Sequence, residues 1–252
     1  MRSLIAIPVY NEARYLPRVI EAVRRHGHDI LIVDDGSTDR TAALLQRESD
    51  LCILRHEQNL GYGRSLIDAL QFADRRGYDW IITLDCDEQH EPAWIPRFIE
   101  AAERDDADVI SGSRYLTDLP GNTNAPSDRR RINEVVTAML NGVLDLSLTD
   151  SFCGFKAHRV ASMRRLKLAI DGYAFPLQFW VQAAHAGLGI REISVPLIYN
   201  DPNRHFGGVL DDPDTRLQHY LDVLSEALTQ VGRAPLPDAS PCGDPTGCPT
   251  AV

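Results

Sequence analysis

The ten residues from Ile81 to His90 constrain the fold of this sequence more than any other stretch. The first four form an apolar run rich in β-branched side chains, which is typical of a buried strand. Acidic and polar residues follow, and then Pro92, a residue suited to the first turn of a helix. We therefore expect Asp85 and Asp87 at the carboxyl end of a central parallel strand, where an open α/β sheet places its ligand crevice.

Strand and helix patterns alternate through the first half of the chain. The strand patterns cover about residues 3–8, 29–33, 51–55, 78–84 and 108–112, with amphipathic helix patterns between them. Later patterns predict helices at about 130–144, 176–186 and 214–231 and a strand at 190–195. This alternation predicts an α/β fold with a mostly parallel central sheet flanked by helices. We expect one domain over residues 1–231 and a disordered tail, rich in Pro and Gly, over 232–252.

Unusual polar residues follow several strands directly. Tyr10 and Glu12 follow the first strand, Asp34 and Asp35 follow the second, and the acidic stretch at 85–89 follows the fourth. Because the carboxyl ends of parallel strands meet at one edge of a sheet, these residues are expected to share one site.

The spacing of Asp85, Asp87 and Gln89 suits a divalent cation. Two carboxylates and an amide carbonyl make a hard oxygen set of the kind that Mg²⁺ or Mn²⁺ prefers, with positions left for phosphate oxygens. The alternative is a solvated acidic turn after a strand, since short acidic loops are common.

Composition excludes several classes of protein. The net charge of −10 over 252 residues argues against a nucleic-acid-binding surface, and basic runs such as 129–131 are interpreted as solvated helix faces. No stretch approaches eighteen consecutive apolar residues, so no transmembrane helix is expected, and the first residues lack a signal-peptide pattern. Five cysteines without metal-ligand spacing fit reduced thiols in the cytoplasm, although Cys242 and Cys248 are close enough in sequence to pair.

Six motifs occur in order along the chain. They are Ile7-Pro8-Val9-Tyr10-Asn11-Glu12, Val33-Asp34-Asp35-Gly36-Ser37-Thr38-Asp39, Asp85-Cys86-Asp87-Glu88-Gln89-His90, Gly112-Ser113-Arg114-Tyr115, Cys153-Gly154-Phe155-Lys156 and the loop around Arg204. Together, over roughly residues 2 to 210, they resemble the family 2 glycosyltransferases of GT-A fold. The resemblance is greatest to the dolichyl- and polyprenyl-phosphate mannose synthase branch.

The resemblance implies a role for each matching residue. The residues implied in donor binding are Pro8, Tyr10, Glu12, Val33, Asp35, Cys86 and Arg204. The alternative role for Cys86 is packing beneath the site. The alternative role for Asp34 and Asp35 is capping of the next helix. Asp85, Asp87 and Gln89 are implied to hold Mg²⁺ or Mn²⁺ against the donor diphosphate.

Two further residues are candidates for catalysis. Arg114, like Arg204, matches a position that contacts donor or acceptor phosphate, and a surface salt bridge is the alternative for both. Asp150, in a segment expected to form an extended turn, is a candidate general base. A base is needed only for a hydroxyl acceptor, because an anionic phosphate is already nucleophilic.

Two positions depart from the family pattern. Gln178 stands where the family commonly has Glu, and the segment 207–210 lacks a lysine that often helps to hold phosphate. The second departure weakens the assignment of a lipid phosphate acceptor.

The expected function is an inverting, metal-dependent transfer of a hexose from a nucleotide diphosphate sugar, GDP-mannose or UDP-glucose. The leading acceptor is polyprenyl phosphate, reached by a cytoplasmic protein peripheral to the membrane surface, and a soluble hydroxyl compound is second. A nucleotidyltransferase is a weaker alternative, because it usually has a Gly-rich loop with a basic residue where this chain has Tyr10-Asn11-Glu12. A phosphate-accepting receiver domain is weaker still, because such domains are about half this length and need a supporting Lys.

Overall fold

A single mixed sheet organises the described part of the chain, which in this computed structural model comprises residues 1–120, 122–123, 125–200 and 207–236. Its strands are β1 (Ser3–Val9), β2 (Asp29–Asp34), β3 (Cys52–Arg55), β4 (Trp80–Thr83), β5 (Val109–Ser113), β6 (Lys156–Arg159) and β7 (Ile190–Ser194). Their spatial order is β3-β2-β1-β4-β6-β5-β7. All neighbours are parallel except β6, which runs antiparallel to both β4 and β5.

Helices cover both faces of this sheet. They are α1 (Leu16–Arg24), α2 (Thr41–Leu45), α3 (Tyr62–Arg75), α4 (Ile95–Glu103), α5 (Ser127–Leu144), α6 (Val160–Met163), α7 (Phe175–His185) and α8 (Pro213–Gln230). The apolar faces of α3, α5, α7 and α8 pack into one buried cluster, and those of α1 and α4 pack into another. The predicted α/β class with a mostly parallel sheet is therefore confirmed.

Strand β4 is buried on both faces, as its continuous apolar run predicts. Ile81 belongs to the cluster with α3, whereas Ile82 belongs to the cluster with α1 and α4. The two side chains point to opposite faces because successive residues of a strand alternate. The acidic residues after β4 thus begin at the centre of the sheet, between β1 and β6.

The residue pattern from Asp150 to Lys156 predicts only an extended turn and does not reveal strand β6. The strand reads Lys-Ala-His-Arg and has no apolar alternation that would reveal it. Lys156 is nevertheless buried, with its Nζ donating to the Cys153 carbonyl and lying 5.2 Å from the centre of the Trp180 ring. Burial also lowers the pKa of His158 to about 3, so that ring stays neutral inside the sheet.

The chain stays packed beyond the predicted domain boundary at 231. Arg233 donates to the Val143 carbonyl of α5 at 2.6 Å, and the Leu236 N–H donates to Ser225 Oγ of α8 at 3.2 Å. Residues 233–236 thus contact α5 and α8 beyond the domain end predicted at 231. Residues 237–252, including Cys242 and Cys248, lie outside the described residues.

Among the described residues, Cys52, Cys86 and Cys153 form no disulfide. No helix in the described ranges combines the length and the apolar character needed to cross a bilayer.

The start of α3 packs unusually closely against the segment that leads into α7. A Cβ atom placed on Gly63 would lie 2.1 Å from the Ile170 carbonyl oxygen and 2.8 Å from Phe175 Cβ. One residue earlier, the Tyr62 ring stacks on Tyr173 with 5.9 Å between ring centres. Gly63 therefore sets how near the two segments come.

Alanine at Gly63 should change stability through lost packing space, whereas alanine at an open helical position should change it only through helix propensity. Gly63→Ala should lower the free energy of unfolding by about 2 kcal/mol, because the added methyl group overlaps backbone atoms. Gly142→Ala is the matched control, since Gly142 is also helical and has no atom within 4 Å of its would-be Cβ. It should raise stability by about 0.5–1 kcal/mol. Urea denaturation measures both, and equal effects would contradict the close approach.

Candidate functional site

A cavity of about 920 Å³ lies at the carboxyl ends of β1, β2, β4 and β5. Nine of the predicted site residues line it: Pro8, Tyr10, Glu12, Asp35, Asp85, Cys86, Asp87, Gln89 and Arg114. The structure therefore brings them together at one edge of the sheet. Arg204 lies outside the described residues.

Val33 is a correction to the predicted donor site. Its side chain is fully buried in the core with Leu4 and Leu66, and it does not line the cavity. The difference is one of position along the chain. Strand β2 is buried on both faces and ends at Asp34, so Val33 packs into the core, whereas Asp35 lies beyond the strand end. We leave Val33 out of the proposed site.

The loop after β4 holds its carboxylates by hydrogen bonds. Tyr62 Oη donates to Asp85 Oδ1 at 3.0 Å, and the Asp85 N–H donates to His90 Nδ1 at 3.0 Å. Asp87 Oδ1 accepts from the Gln89 N–H at 3.0 Å. Burial and the charge of Asp85 raise the pKa of Tyr62 well above its ordinary value, so the phenol remains a hydrogen donor to Asp85.

Gly154 leaves the space in which Asp85 and Tyr62 meet. A Cβ atom on Gly154 would lie 2.6 Å from Tyr62 Oη and 2.8 Å from Asp85 Oδ2. The glycine of the Cys153-Gly154-Phe155-Lys156 motif is therefore needed because any side chain there would displace Asp85 or Tyr62.

The residues at this loop fit a divalent cation. The described residues contain no group of three His, Cys, Asp or Glu side chains that could hold a metal ion. They do offer the carboxylates of Asp85 and Asp87 and, as a third group, the amide of Gln89. Gln89 Nε2 is buried without a hydrogen-bond partner among the described residues. Turning that amide by 180° would put an oxygen in place of the nitrogen. Two carboxylates and an amide oxygen would then be the hard oxygen ligands that such a cation prefers.

Arg114 enters the cavity wall as half of a buried ion pair. Its Nε donates to Asp150 Oδ2 at 2.6 Å, and a second guanidinium nitrogen donates to Oδ1 at 2.9 Å. Asp150 is 0% exposed and also accepts from Asn133 Nδ2 at 2.7 Å and from the Cys153 N–H at 3.1 Å. The pair fixes the orientation of the arginine.

Asp150 is therefore not placed to act as a general base, which corrects its predicted role. It is buried beneath the cavity rather than lining it, and its oxygens are occupied by donors. Burial alone would raise the pKa of Asp150, but Arg114 and Asn133 outweigh it and lower that pKa to about 2. A carboxylate so stabilised is a poor proton acceptor.

Gln178 likewise lies away from the cavity lining. It is 1% exposed, and its Oε1 accepts from the N–H groups of Ala169 and Ile170 at 2.7 and 3.2 Å. Its Nε2 donates to Gln230 Oε1 at 3.0 Å. In this chain the Gln178 side chain hydrogen-bonds α7 to α8 and to the segment before α7.

Two arginines in the cavity wall were not predicted. Arg129 of α5 was interpreted as part of a solvated face, which holds for the exposed Arg130 and Arg131 but is wrong for Arg129, because it lines the cavity. Arg216 of α8 also lines the cavity and is 3% exposed.

Arg216 is held by α5 and by the segment before α8. One guanidinium nitrogen donates to Asp128 Oδ2 at 2.6 Å and another donates to the Leu210 carbonyl at 2.8 Å. The signal for Arg216 was present in the sequence, since it shares the buried stripe of α8 with Tyr220 and Leu224 at intervals of four residues. A charged residue on a buried stripe indicates a partner or a ligand.

The charges of the cavity are sorted along the sheet. Its carboxylates, Glu12, Asp35, Asp85 and Asp87, follow the adjacent strands β1, β2 and β4. Its arginines come from the end of β5, beyond β6, and from helices α5 and α8. One part of the cavity is therefore acidic and another is basic.

The Arg114–Asp150 pair predicts both a mutational and a pH effect on stability. Because the pKa of folded Asp150 lies below its ordinary value, the pair's contribution is complete above about pH 4. The pair contributes about 2 kcal/mol to the free energy of unfolding, and this contribution is lost as the pH falls through about 2. Asp150→Asn should remove this dependence and cost about 3–5 kcal/mol at pH 7, because Arg114 loses its buried anion.

The free energy of unfolding in urea at pH 7 and pH 3 measures these effects. Asp145→Asn is the control, because Asp145 is an exposed aspartate in a left-handed conformation that Asn also adopts. It should change stability by less than about 0.5 kcal/mol. An Asp150→Asn protein as stable as this control at pH 7 would contradict the assignment.

Comparison with known proteins identifies the family. Residues 4–167 match the sequence profile of glycosyl transferase family 2. The chain is 30% identical to an undecaprenyl-phosphate mannosyltransferase of Micrococcus luteus, with 84% of this chain and 90% of the relative covered. It is 29% identical to a polyprenol monophosphomannose synthase of Mycolicibacterium smegmatis, with 77% of this chain and 76% of the relative covered.

Solved structures share the fold. A glucosyl-3-phosphoglycerate synthase of Mycobacterium tuberculosis, solved with Mn²⁺, uridine diphosphate and glucosyl-3-phosphoglycerate, superposes with a TM-score of 0.70. That comparison covers 94% of this chain and 81% of the other at 17% identity, and so concerns the GT-A fold alone. With the family profile covering more than half of the sequence, the chain belongs to glycosyl transferase family 2.

Proposed function

We propose that this glycosyltransferase moves a hexose from a nucleoside diphosphate sugar to polyprenyl phosphate. The observation that carries the proposal is the sorting of charge in one cavity, with carboxylates after β1, β2 and β4 and arginines from β5, α5 and α8. A metal-bound diphosphate suits the first part, and an anionic acceptor suits the second.

The donor nucleoside is proposed to bind at the ends of β1 and β2. Asp35 is 3% exposed but lines the cavity, so its carboxylate accepts from a nucleobase N–H in a largely desolvated place. Uracil and guanine both offer such an N–H group, and UDP-glucose and GDP-mannose are the candidate donors. Tyr10, which is 45% exposed, offers its ring to the base, and Glu12 accepts from ribose hydroxyls.

Asp85, Asp87 and Gln89 are proposed to hold Mg²⁺ or Mn²⁺. When bound, the ion supplies Lewis acidity that neutralises the charge developing on the departing diphosphate. Tyr62 keeps Asp85 in place, and Asn200 Nδ2 donates to the Asp87 carbonyl at 2.9 Å, so the loop is organised before ligands arrive. The Mycobacterium tuberculosis enzyme of the same fold was crystallised with Mn²⁺ or Mg²⁺ together with uridine diphosphate, which supports the use of a divalent cation.

The acceptor phosphate is proposed to bind among Arg114, Arg129 and Arg216. The lysine expected between residues 207 and 210 is absent, but Arg216 bonds to the Leu210 carbonyl and brings a guanidinium to the cavity. Phe152, Ile132, Pro176, Tyr173 and Tyr220 line the same cavity and offer an apolar surface to the first prenyl units. The similarity to an undecaprenyl-phosphate mannosyltransferase and to a polyprenol monophosphomannose synthase supports this choice.

The proposed reaction is a single displacement. An acceptor phosphate oxygen attacks the anomeric carbon from the face opposite the diphosphate, a carbon–oxygen bond forms, and the bond to the diphosphate oxygen breaks. The products are a hexosyl polyprenyl phosphate with inverted configuration and a nucleoside diphosphate. The ionised acceptor needs no general base, which agrees with the commitment of Asp150 to Arg114.

Loss of one proposed metal ligand should abolish turnover. Asp87→Ala should lower kcat at least about 100-fold with Mn²⁺ present, because the charge on the leaving diphosphate is no longer neutralised. Glu91→Gln is the control, since Glu91 is exposed and does not line the cavity. Release of nucleoside diphosphate measures both rates, and normal turnover in a folded Asp87→Ala protein would refute the metal site.

Adjacent arginines on α5 should behave differently toward the acceptor. Arg129→Gln should raise the KM for undecaprenyl phosphate about tenfold and leave the donor KM unchanged, because a charge-assisted contact to phosphate is lost. Arg130→Gln removes a neighbouring charge that faces solvent and should change both constants less than about twofold. Equal effects of the two substitutions would show that only the net charge matters.

A further inference from the structure

His56 is a buried histidine held between two carboxylates, one of which lines the cavity. Its Nδ1 lies 2.7 Å from Asp35 Oδ1 and its Nε2 lies 3.1 Å from Asp68 Oδ2. The residue follows β3, is 8% exposed and does not itself line the cavity. We propose that His56 is a positioning residue that orients Asp35 for recognition of the donor nucleobase. This inference rests on the proposed role of Asp35 in donor binding.

The hydrogen bonds of Asp35 leave one acceptor position for a ligand. Oδ1 accepts from His56 Nδ1 and from the Leu60 N–H at 2.8 Å, and Oδ2 accepts from the Gly61 N–H at 2.8 Å. A carboxylate has about four lone-pair positions, and the described residues fill three of them. The remaining position is on Oδ2 of a carboxylate that lines the cavity.

His56 fixes the plane of that carboxylate. The two backbone donors come from neighbouring residues of one loop, whereas His56 approaches from the end of β3. Without the imidazole, Asp35 Oδ1 would accept only from the Leu60 N–H. The carboxylate could then rotate, and its orientation would no longer be fixed. A carboxylate held before binding avoids the cost of ordering it when the nucleotide arrives.

The far side of the ring is anchored independently. Asp68 of α3 also accepts from Arg64 at 2.7 and 3.1 Å, so its negative charge is already paired when it meets His56 Nε2. Arg64 in turn lies 3.8 Å from Asp171 Oδ1, next to Gly172 and Tyr173 of the cavity wall. The charged groups facing the ring are therefore Asp35 after β2 and Asp68 with its Arg64 on α3.

Two amide substitutions separate positioning from general stability. Asparagine carries its amide nitrogen where histidine has Nδ1, and glutamine carries it where histidine has Nε2. His56→Asn therefore keeps the donor toward Asp35 and loses the bond to Asp68, and His56→Gln does the reverse. Each variant loses one hydrogen bond of the ring, so both melting temperatures should fall.

Titration calorimetry of UDP and of GDP, each with Mn²⁺, tests the inference on whichever nucleotide the wild type binds. His56→Gln should weaken binding about tenfold, because Asp35 loses its charge-assisted partner, and His56→Asn should stay within about threefold of wild type. In turnover, the His56→Gln effect should appear in the donor KM, with kcat retained. Asp68→Asn, which leaves the Nδ1 bond intact, should bind like the wild type.

Two results would overturn the inference while leaving the proposed function intact: equal affinities of the His56→Asn and His56→Gln proteins, or full affinity in His56→Gln. Histidine ¹⁵N spectra of the wild type provide a test that does not depend on the folding of any variant. They should show hydrogen on Nδ1 of His56, and an Nδ1 without hydrogen would also overturn it. Failure of the wild type to bind either nucleotide would instead refute the proposed function.

Discussion

Asp85 can present its carboxylate to the cavity because Gly154 has no side chain. The peptide before β6 passes so close to β4 and α3 that even a methyl group at Gly154 would overlap both Asp85 and the Tyr62 hydroxyl. That close passage is possible because β6 inserts antiparallel between β4 and β5. The same insertion separates the acidic strand ends from Arg114, so it also underlies the sorting of charge in the cavity.

Three charged groups of the cavity each have partners that hold them in place. Arg114 is held by Asp150, Arg216 by Asp128, and Asp35 by His56 together with two backbone N–H groups. Such pairs add little net stability compared with apolar packing, since desolvation offsets much of their attraction. Their contribution is geometric, because they fix charges where a diphosphate and a phosphate must meet.

Sequence reasoning located the acidic edge of the sheet because strand periodicity and strand ends are local properties. It missed β6, because the side chains that pack on Lys156 and His158 are Trp180 and Phe179, which are distant in sequence. It misjudged Asp150 because chain order shows neither burial nor the approach of Arg114 from another strand. Val33 was misplaced for a simpler reason: β2 is buried on both faces, so its side chains pack into the core until the strand ends at Asp34.

Formation of a glycosylated lipid tests the central claim most directly. The wild-type chain would be incubated with Mn²⁺, undecaprenyl phosphate and either GDP-mannose or UDP-glucose, and the lipid fraction analysed by mass spectrometry. The account predicts a lipid heavier by one hexose residue with one of the donors and none when the metal is chelated. Unmodified lipid with both donors, from a protein that binds the nucleotide and Mn²⁺, would contradict the assignment of the arginine-lined part of the cavity to a lipid phosphate.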